Sequence, residues 1–443
     1  MRHAAQLPHI MPSSRAVLLL LAALAPALLS QAAPLSLAAA LERADQAGFA
    51  VRLARESANQ AAARADQSRV SLLPNIQASA AQRRSQSVSI ANDATVAGGT
   101  INRFDGKLSG SVPVLDPARL AAWRAARTGA NVAGFELESL REQALSAVAQ
   151  AFFTHQRNQH RMSVIDANIA RAQTLLNLAR NQAAAGAATK IDVTRAEAQL
   201  AQAEQARLQQ QTLLITSELA LKRLLDLPAA APLELQPAGI RRIETSDTTP
   251  APDEASRLRR ADYAAASRAL EQYRQELRAA RWQRLPALSV SGDYGYVSPD
   301  LASGDRRQAW SAAGVLSVPL FDGTRSAADT RLALSRLRAQ EIRVAQLALQ
   351  VDAEQRLALQ DTRSRLAQVL VAEKSLRLAE EEMSLARLRY EQDVADNREV
   401  VEAQTRMATA ADSLVEAEYQ YQLSRIELCR SRGDLRSLLS ETL

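Results

Sequence analysis

The chain repeats itself, and that repeat limits its architecture more than any other feature. Arg-Val-Ser-Leu-Leu-Pro-Asn-Ile at 69–76 returns as Arg-Trp-Gln-Arg-Leu-Pro-Ala-Leu at 281–288. Ser-Val-Pro-Val-Leu-Asp at 111–116 returns as Ser-Val-Pro-Leu-Phe-Asp at 317–322, and Leu-Ala-Arg at 178–180 returns at 385–387. The offsets are 212, 206 and 207, so two copies run almost in step. Each copy reads as an Ala-rich helix, Leu-Pro, two alternating strands, Val-Pro-x-x-Asp and a very long helix.

In the first copy a helical pattern runs from Leu35 to about Leu72, where Pro74 ends it, because proline cannot continue the α ladder. Ile76, Ala78 and Ala80 then alternate with Gln77, Ser79 and Ala81. A polar, Gly-containing stretch at roughly 83–103 separates them from Leu108, Gly110 and Val112, which alternate with Lys107, Ser109 and Ser111. The second copy is cleaner. Leu288, Val290, Gly292, Tyr294 and Tyr296 share one face, followed by Trp310, Ala312, Gly314, Leu316 and Val318. An apolar face against a small polar face, with aromatics toward one end, is the pattern of transmembrane barrel strands. A soluble hairpin would alternate equally well; the twofold repetition and the leader described below favour the barrel. Four strands cannot close a barrel, so strands placed in lipid require several chains to remove their open edges.

The long helices are expected from Pro117 to about Ala184 and from about Gly323 to Gln392, each roughly 100 Å at 1.5 Å per residue. Helices of that length must pack laterally. Leu337, Val344, Val351 and Ala358 keep one heptad spacing, and Val369, Leu376, Met383 and Tyr390 keep another. The eleven-residue step between them is a four-residue stutter, which relaxes left-handed supercoiling. At the far end of each long helix is a turn. Gly186 breaks the first, Thr189 caps the restart and Asp192 follows three residues on; in the second, Asp396 caps and Glu399 follows. Both fit a capping box, which by itself accounts for the acidic residues. Pro228, Pro232, Pro237, Pro250 and Pro252 mark a linker at 228–253 with a short strand at Leu233–Leu235, after which helix resumes from about Glu254 to Arg284. The chain therefore divides into a leader at 1–32, a first repeat at 33–227, the linker, and a second repeat at 254–443.

Composition agrees with long helices: aromatics are 4% of the chain, and Ala, Leu, Gln, Arg and Glu dominate. The formal charge is +6, with Lys and Arg interleaved with Asp and Glu, so solvated helix faces explain the charge better than a nucleic-acid patch. Cys429 is the one cysteine, which excludes an intrachain disulfide and a cysteine-based metal site. His155 and His160 are five apart and point to different helix faces, so no metal and no cofactor is expected. Residues 1–32 read as a secretory signal peptide: Arg15, an apolar run from Ala16 to Leu29, then Ser30 and Ala32 before a cut that leaves Ala33 first. Met11 is an alternative start for this leader, and no cysteine follows it for lipid attachment.

The paired Leu-Pro starts at 73–74 and 285–286, the paired Val-Pro exits at 112–113 and 318–319, the near-equal long helices and the capped tips together resemble the TolC-type outer-membrane efflux proteins. The resemblance spans about 35 to 440. Each motif is short, and the duplicated order makes the match specific. It implies a mainly α fold with a small transmembrane β-barrel. Each chain would give four strands to a twelve-stranded barrel in a homotrimer, and long helical hairpins would form a tunnel across the periplasm. It also implies partners: outer-membrane lipid, a periplasmic adaptor at the hairpin tips, and an inner-membrane transporter. The matching tip residues are Arg180, Gly186, Ala187 and Thr189, with Arg387, Asp393 and Val394 in the second copy. The acidic residues and tyrosine of the family's narrowed aperture fall on Asp192, Tyr390, Glu399 and Glu402. Two positions depart from the family. Asp393 replaces a glycine in the second tip, and Ala395 stands where some members carry a basic gate residue.

The expected function is a passive outer-membrane exit duct of a tripartite efflux or type I secretion system. The alternative is a periplasmic helical-hairpin adaptor or scaffold, which would need compact β-domains around its hairpin. No Ser/His/Asp set and no Gly-rich phosphate loop is present, so no catalytic residue is assigned and an enzyme is not expected.

Overall fold

A computed structural model describes residues 34–91, 94–186, 188–239, 253–392, 394 and 397–437. The first copy contains α1 (Leu37–Ala47), α2 (Phe49–Val70), β1 (Asn75–Ala91), β2 (Ala94–Leu115), α3 (Pro117–Ala184) and α4 (Lys190–Leu224). The second contains α5 (Glu254–Leu258), α6 (Ala261–Trp282), β3 (Ala287–Ser298), β4 (Arg307–Ser317), α7 (Arg325–Glu391) and α8 (Asn397–Arg432). The two copies thus follow the same order. The leader at 1–32 lies outside the described residues.

Local chemistry sets the ends of the long helices. Asp116 accepts the Arg119 amide at 2.9 Å, with Pro117 in the first helical turn. Its counterpart Asp322 accepts the Ser326 amide at 2.9 Å. Each cap satisfies an amide that the helix itself cannot. The helix expected over 35–72 is instead two helices. Gly48 returns its amide to the Ala44 carbonyl at 3.0 Å and then leaves helical geometry. A Cβ there would lie 2.5 Å from that same carbonyl oxygen. The helix expected over 254–284 also breaks, at Arg259 and Arg260. Arg260 is buried and bonds to Asp262 at 2.6 Å and Glu354 at 2.5 Å, which turns the chain there.

The strands form one antiparallel sheet in the order β1-β2-β3-β4. Its register brings the apolar sets of both copies onto one face: Ala78 lies opposite Leu108, Leu108 opposite Tyr294, and Tyr294 opposite Trp310. The described residues of the polar stretch at 83–103 are strand. Ser85 pairs with Ile101, Val88 with Ala97 and Ile90 with Thr95, so β1 and β2 continue as a two-stranded ribbon beyond β3 and β4. Composition read over that stretch hides the β-branched residues at its centre, which favour a pleated ladder. β2 pairs with β3 only from Phe104 onward.

Near the middle of the long helices, Leu145, Val148 and Phe152 of α3 pack with Leu37 and Leu41, Leu221 and Leu225, and Ile426. The linker joins this core through Leu233, Leu235 and Ala238. Its expected strand is a single parallel bridge between Leu35 and Leu235. His155 is buried here with Nδ1 3.0 Å from the Ser217 hydroxyl, and burial lowers its pKa. That is a structural role. Leu337, Val351 and Ala358 of the first heptad set and Val369 and Tyr390 of the second are buried, so the heptad faces are the packed faces of α7. No helix among the described residues is long and apolar enough to cross a membrane.

Candidate functional site

About 100 Å of helix separates the sheet from the two hairpin turns, each five residues long between α3 and α4 and between α7 and α8. Gly186 makes the first turn with φ +76°, a left-handed geometry that a side chain disfavours. The Ala188 amide then reaches the Gln182 carbonyl at 3.2 Å. In the second turn the Val394 amide returns to the Arg389 carbonyl at 2.9 Å, and Val394 is exposed. Ala187, Asp393, Ala395 and Asp396 lie outside the described residues.

Asp192 is committed to the start of α4. Its Oδ2 accepts the Thr189 hydroxyl at 2.6 Å and the Thr189 amide at 2.9 Å. These bonds, with Arg195 at 3.6 Å, hold the Asp192 carboxyl below the usual carboxylate range. The expected capping box is present in the first tip.

Arg180 and Arg387 occupy equivalent repeat positions, yet they bond differently. Arg180 reaches across its hairpin to Glu197 at 2.7 Å. The position equivalent to Glu197 is Gln404, which is buried and donates to Asn168 Oδ1 at 3.2 Å. Among the described residues Arg387 therefore meets no carboxylate across the hairpin, and it pairs along its own helix with Glu391 at 2.8 Å. Arg389 meets Glu399 across the second hairpin at 3.2 Å, and Arg406 meets Glu382 at 2.6 Å. Glu402 takes Arg398 at 2.8 Å and Arg406 at 3.9 Å. All three acidic aperture candidates, Asp192, Glu399 and Glu402, thus already stand beside an arginine of the same chain. Most of these groups are half exposed, where such pairs contribute little individually.

Arg389, Arg398 and Arg406 carry no motif that singles them out in the sequence, unlike Arg180 and Arg387. Their signal is geometric: Arg389 and Glu399, and likewise Glu382 and Arg406, stand equally far on either side of residue 394. Antiparallel helices bring such positions together.

Tyr390 does not project into open space in the single chain. It is buried with Leu175, Leu176 and Ala179 of α3, Ala196 of α4, Ala386 of α7, and Val400 and Ala403 of α8. This cluster ties the two hairpins together just behind their tips. Beside it lies a cleft of about 670 Å³ bounded by Arg171, Thr174, Glu380, Met383, Arg387 and Met407. Among the described residues no group of His, Cys, Asp or Glu could hold a metal ion.

Residues 40–226 and 254–434 match the sequence profile of the family described as "Outer membrane efflux protein". The chain belongs to the outer membrane efflux protein family. It is 28% identical over 388 residues to outer membrane protein OprJ of Pseudomonas aeruginosa, covering 82% of this chain and 77% of that protein. Its fold is that of the CmeC outer membrane channel of Campylobacter jejuni (TM-score 0.79, 20% identity, 92% of this chain and 89% of that one). The outer membrane protein VceC of Vibrio cholerae is equally similar (TM-score 0.79, 20% identity, 90% and 96% covered). The family places the protein in the Gram-negative outer membrane. Its relatives are efflux channels rather than enzymes. The two matched segments leave out 227–253.

Proposed function

We propose that the chain forms the exit duct of a tripartite efflux or type I secretion machine, conducting passively what an adaptor and an inner-membrane pump deliver. One observation carries this reading. The four-stranded sheet has an apolar and a polar face in register, and among the described residues the outer edges of β1 and β4 pair with no further strand. Open edges in lipid leave backbone groups without partners, at several kcal/mol each. Further copies of the chain satisfy them, and three copies make twelve strands around a water-filled interior. The polar faces line that interior, and the long hairpins extend it through the periplasm.

The adaptor meets the tips in this reading, at Arg180, Gly186, Ala187 and Thr189 and at Arg387, Asp393 and Val394. Asp192, Tyr390, Glu399 and Glu402 lie at the narrowed aperture. Asp192 holds the turn and Tyr390 the packing behind it. Glu399 and Glu402, in the first turns of α8, form carboxylate rings that favour cations, each tempered by its arginine.

Expression of the full chain, membrane fractionation and native mass measurement test the assembly. Outer-membrane recovery at three times the chain mass is expected. A soluble monomer would refute the duct and return the chain to the scaffold alternative. In planar bilayers, E399Q/E402Q is expected to lower cation selectivity and cation block, and unchanged values would sink the ring assignment.

A further inference from the structure

The outer end of the sheet carries more positive than negative charge on its polar face. The register sorts the residues. Leu108, Tyr294 and Trp310 share the apolar face, so Arg83 and Arg103, which stand directly opposite each other, fall on the polar one. Lys107, opposite Gly295, and Arg307, opposite Val297, lie on that same polar face. The acids on it are Asp105 and Asp293. Four cations thus face two carboxylates, an excess of two positive charges in each chain.

Pairing does not remove the excess. Asp105 binds Arg103 at 2.8 Å, and Asp293 accepts the Ser311 hydroxyl at 2.6 Å. Arg307 has Asp305 at 3.6 Å, with both side chains largely exposed, a contact worth little. Among the described residues, Arg83 and Lys107 reach no carboxylate. Like charges directly opposite across a ladder are unfavourable, so the Arg83–Arg103 pair is not there to stabilise the sheet. The nearby groups outside this set cancel: Arg84 on the other face and Arg306 offset Asp300 and Asp305 in the β3–β4 connection.

We infer that Arg83, Arg103, Lys107 and Arg307 form a cationic collar inside the outer mouth of the duct, which binds soluble polyvalent anions. The inference rests on the duct reading above. Copied around the trimer, the collar concentrates charge within low-dielectric walls, where it raises local anion concentration. Rings of Arg and Lys serve anion pores in this way. The collar lies level with and beyond the aromatic residues Phe104, Tyr294, Tyr296 and Trp310, at the end of the molecule opposite the acidic tips.

The test uses the full-length protein in planar bilayers, with tripolyphosphate as the probe, added to one side and then the other. The unaltered protein should be blocked far more readily from the strand side. In R83Q/R103Q/R307Q the half-blocking concentration on that side should rise at least about fivefold, while R84Q, on the opposite face, leaves it unchanged. If the triple variant fails to assemble, R307Q alone is expected to give a smaller rise in the same direction. Conductance with equal block in all variants, or equal block from both sides, overturns the collar and leaves the duct standing. Outer-membrane trimers that conduct nothing overturn both.

Discussion

Replacing Gly295 by alanine tests the seam between the two repeats, because β2 of the first copy pairs there with β3 of the second. A Cβ on Gly295 falls 2.2 Å from the Gly106 carbonyl oxygen and 2.6 Å from Lys107 Cα. Both obstacles are backbone, so no rotamer change relieves them. A carbon approaching a carbonyl oxygen needs about 3.3 Å, so the strands must part by roughly 1 Å. A ladder bond of about 2.9 Å stretched by that amount is lost. One or two such bonds, at ~1 kcal/mol net each, with an overpacking cost of ~1–3 kcal/mol, give roughly 2–4 kcal/mol in all. Gly314 on β4 is the control: nothing lies within 4 Å of a Cβ there. Alanine at Gly314 should be neutral or stabilise by about 0.5–1 kcal/mol, since glycine weakens a strand interior. The assay is outer-membrane recovery and the temperature at which the native assembly dissociates on a gel. G295A should lose assembly at a clearly lower temperature than G314A. Identical behaviour of the two would show that β2 and β3 do not pair in this register.

Two further outcomes follow from the mid-helix region. Burial, with Asp262 nearby, pushes the Glu142 carboxyl up to about 6. A raised carboxyl pKa means the folded chain holds the proton better than the unfolded one, so this stabilising contribution is complete below about pH 4.5 and lost as pH rises through 6. Glu142→Gln should therefore stabilise the fold at pH 8 by on the order of 1 kcal/mol after solvent screening, read as a higher melting temperature, and change little at pH 4.5; an equal shift at both values would contradict the burial argument. Buried Arg260 compensates Asp262 and Glu354; both acids are part-exposed and Glu354 keeps Arg430 at 3.4 Å, so Arg260→Met should cost on the order of 1–3 kcal/mol. R260M/E354Q should regain part of that loss in the same melting experiment, and a double variant no better than the single one would remove the ion pair from the explanation.

The architecture was legible in the sequence because it rests on one-dimensional signals. The two copies, Pro117 and Asp116 at one helix start, Gly186 and Thr189 at a tip, and the heptads of α7 each act through neighbours a few residues away. Alternation in β3 and β4 named the apolar face before any register was known. Where composition was averaged over a window, as at 83–103, the ribbon of Val88, Ile90 and Thr95 was missed, because pairing with a partner strand decides whether a polar stretch is loop or ladder. Arg260 broke an expected helix for the same reason: that break answers a contact with Glu354, 94 residues away, that periodicity does not contain.

At the tips the division is sharpest. The repeat made Arg180 and Arg387 equivalent, but their bonds depend on what stands across the hairpin. Glu197 in one copy and Gln404 in the other decide that, through side-chain distance rather than spacing along the chain. Likewise the sequence supplied Tyr390 as a candidate residue, while only the packing of α3, α4, α7 and α8 shows it buried. Sequence alone determined the duplicated plan of strands and long helices, since helix and strand periods are local properties of the backbone. Tertiary structure decided which charges meet and which faces close, because those energies exist only once distant segments lie within a few ångströms of one another.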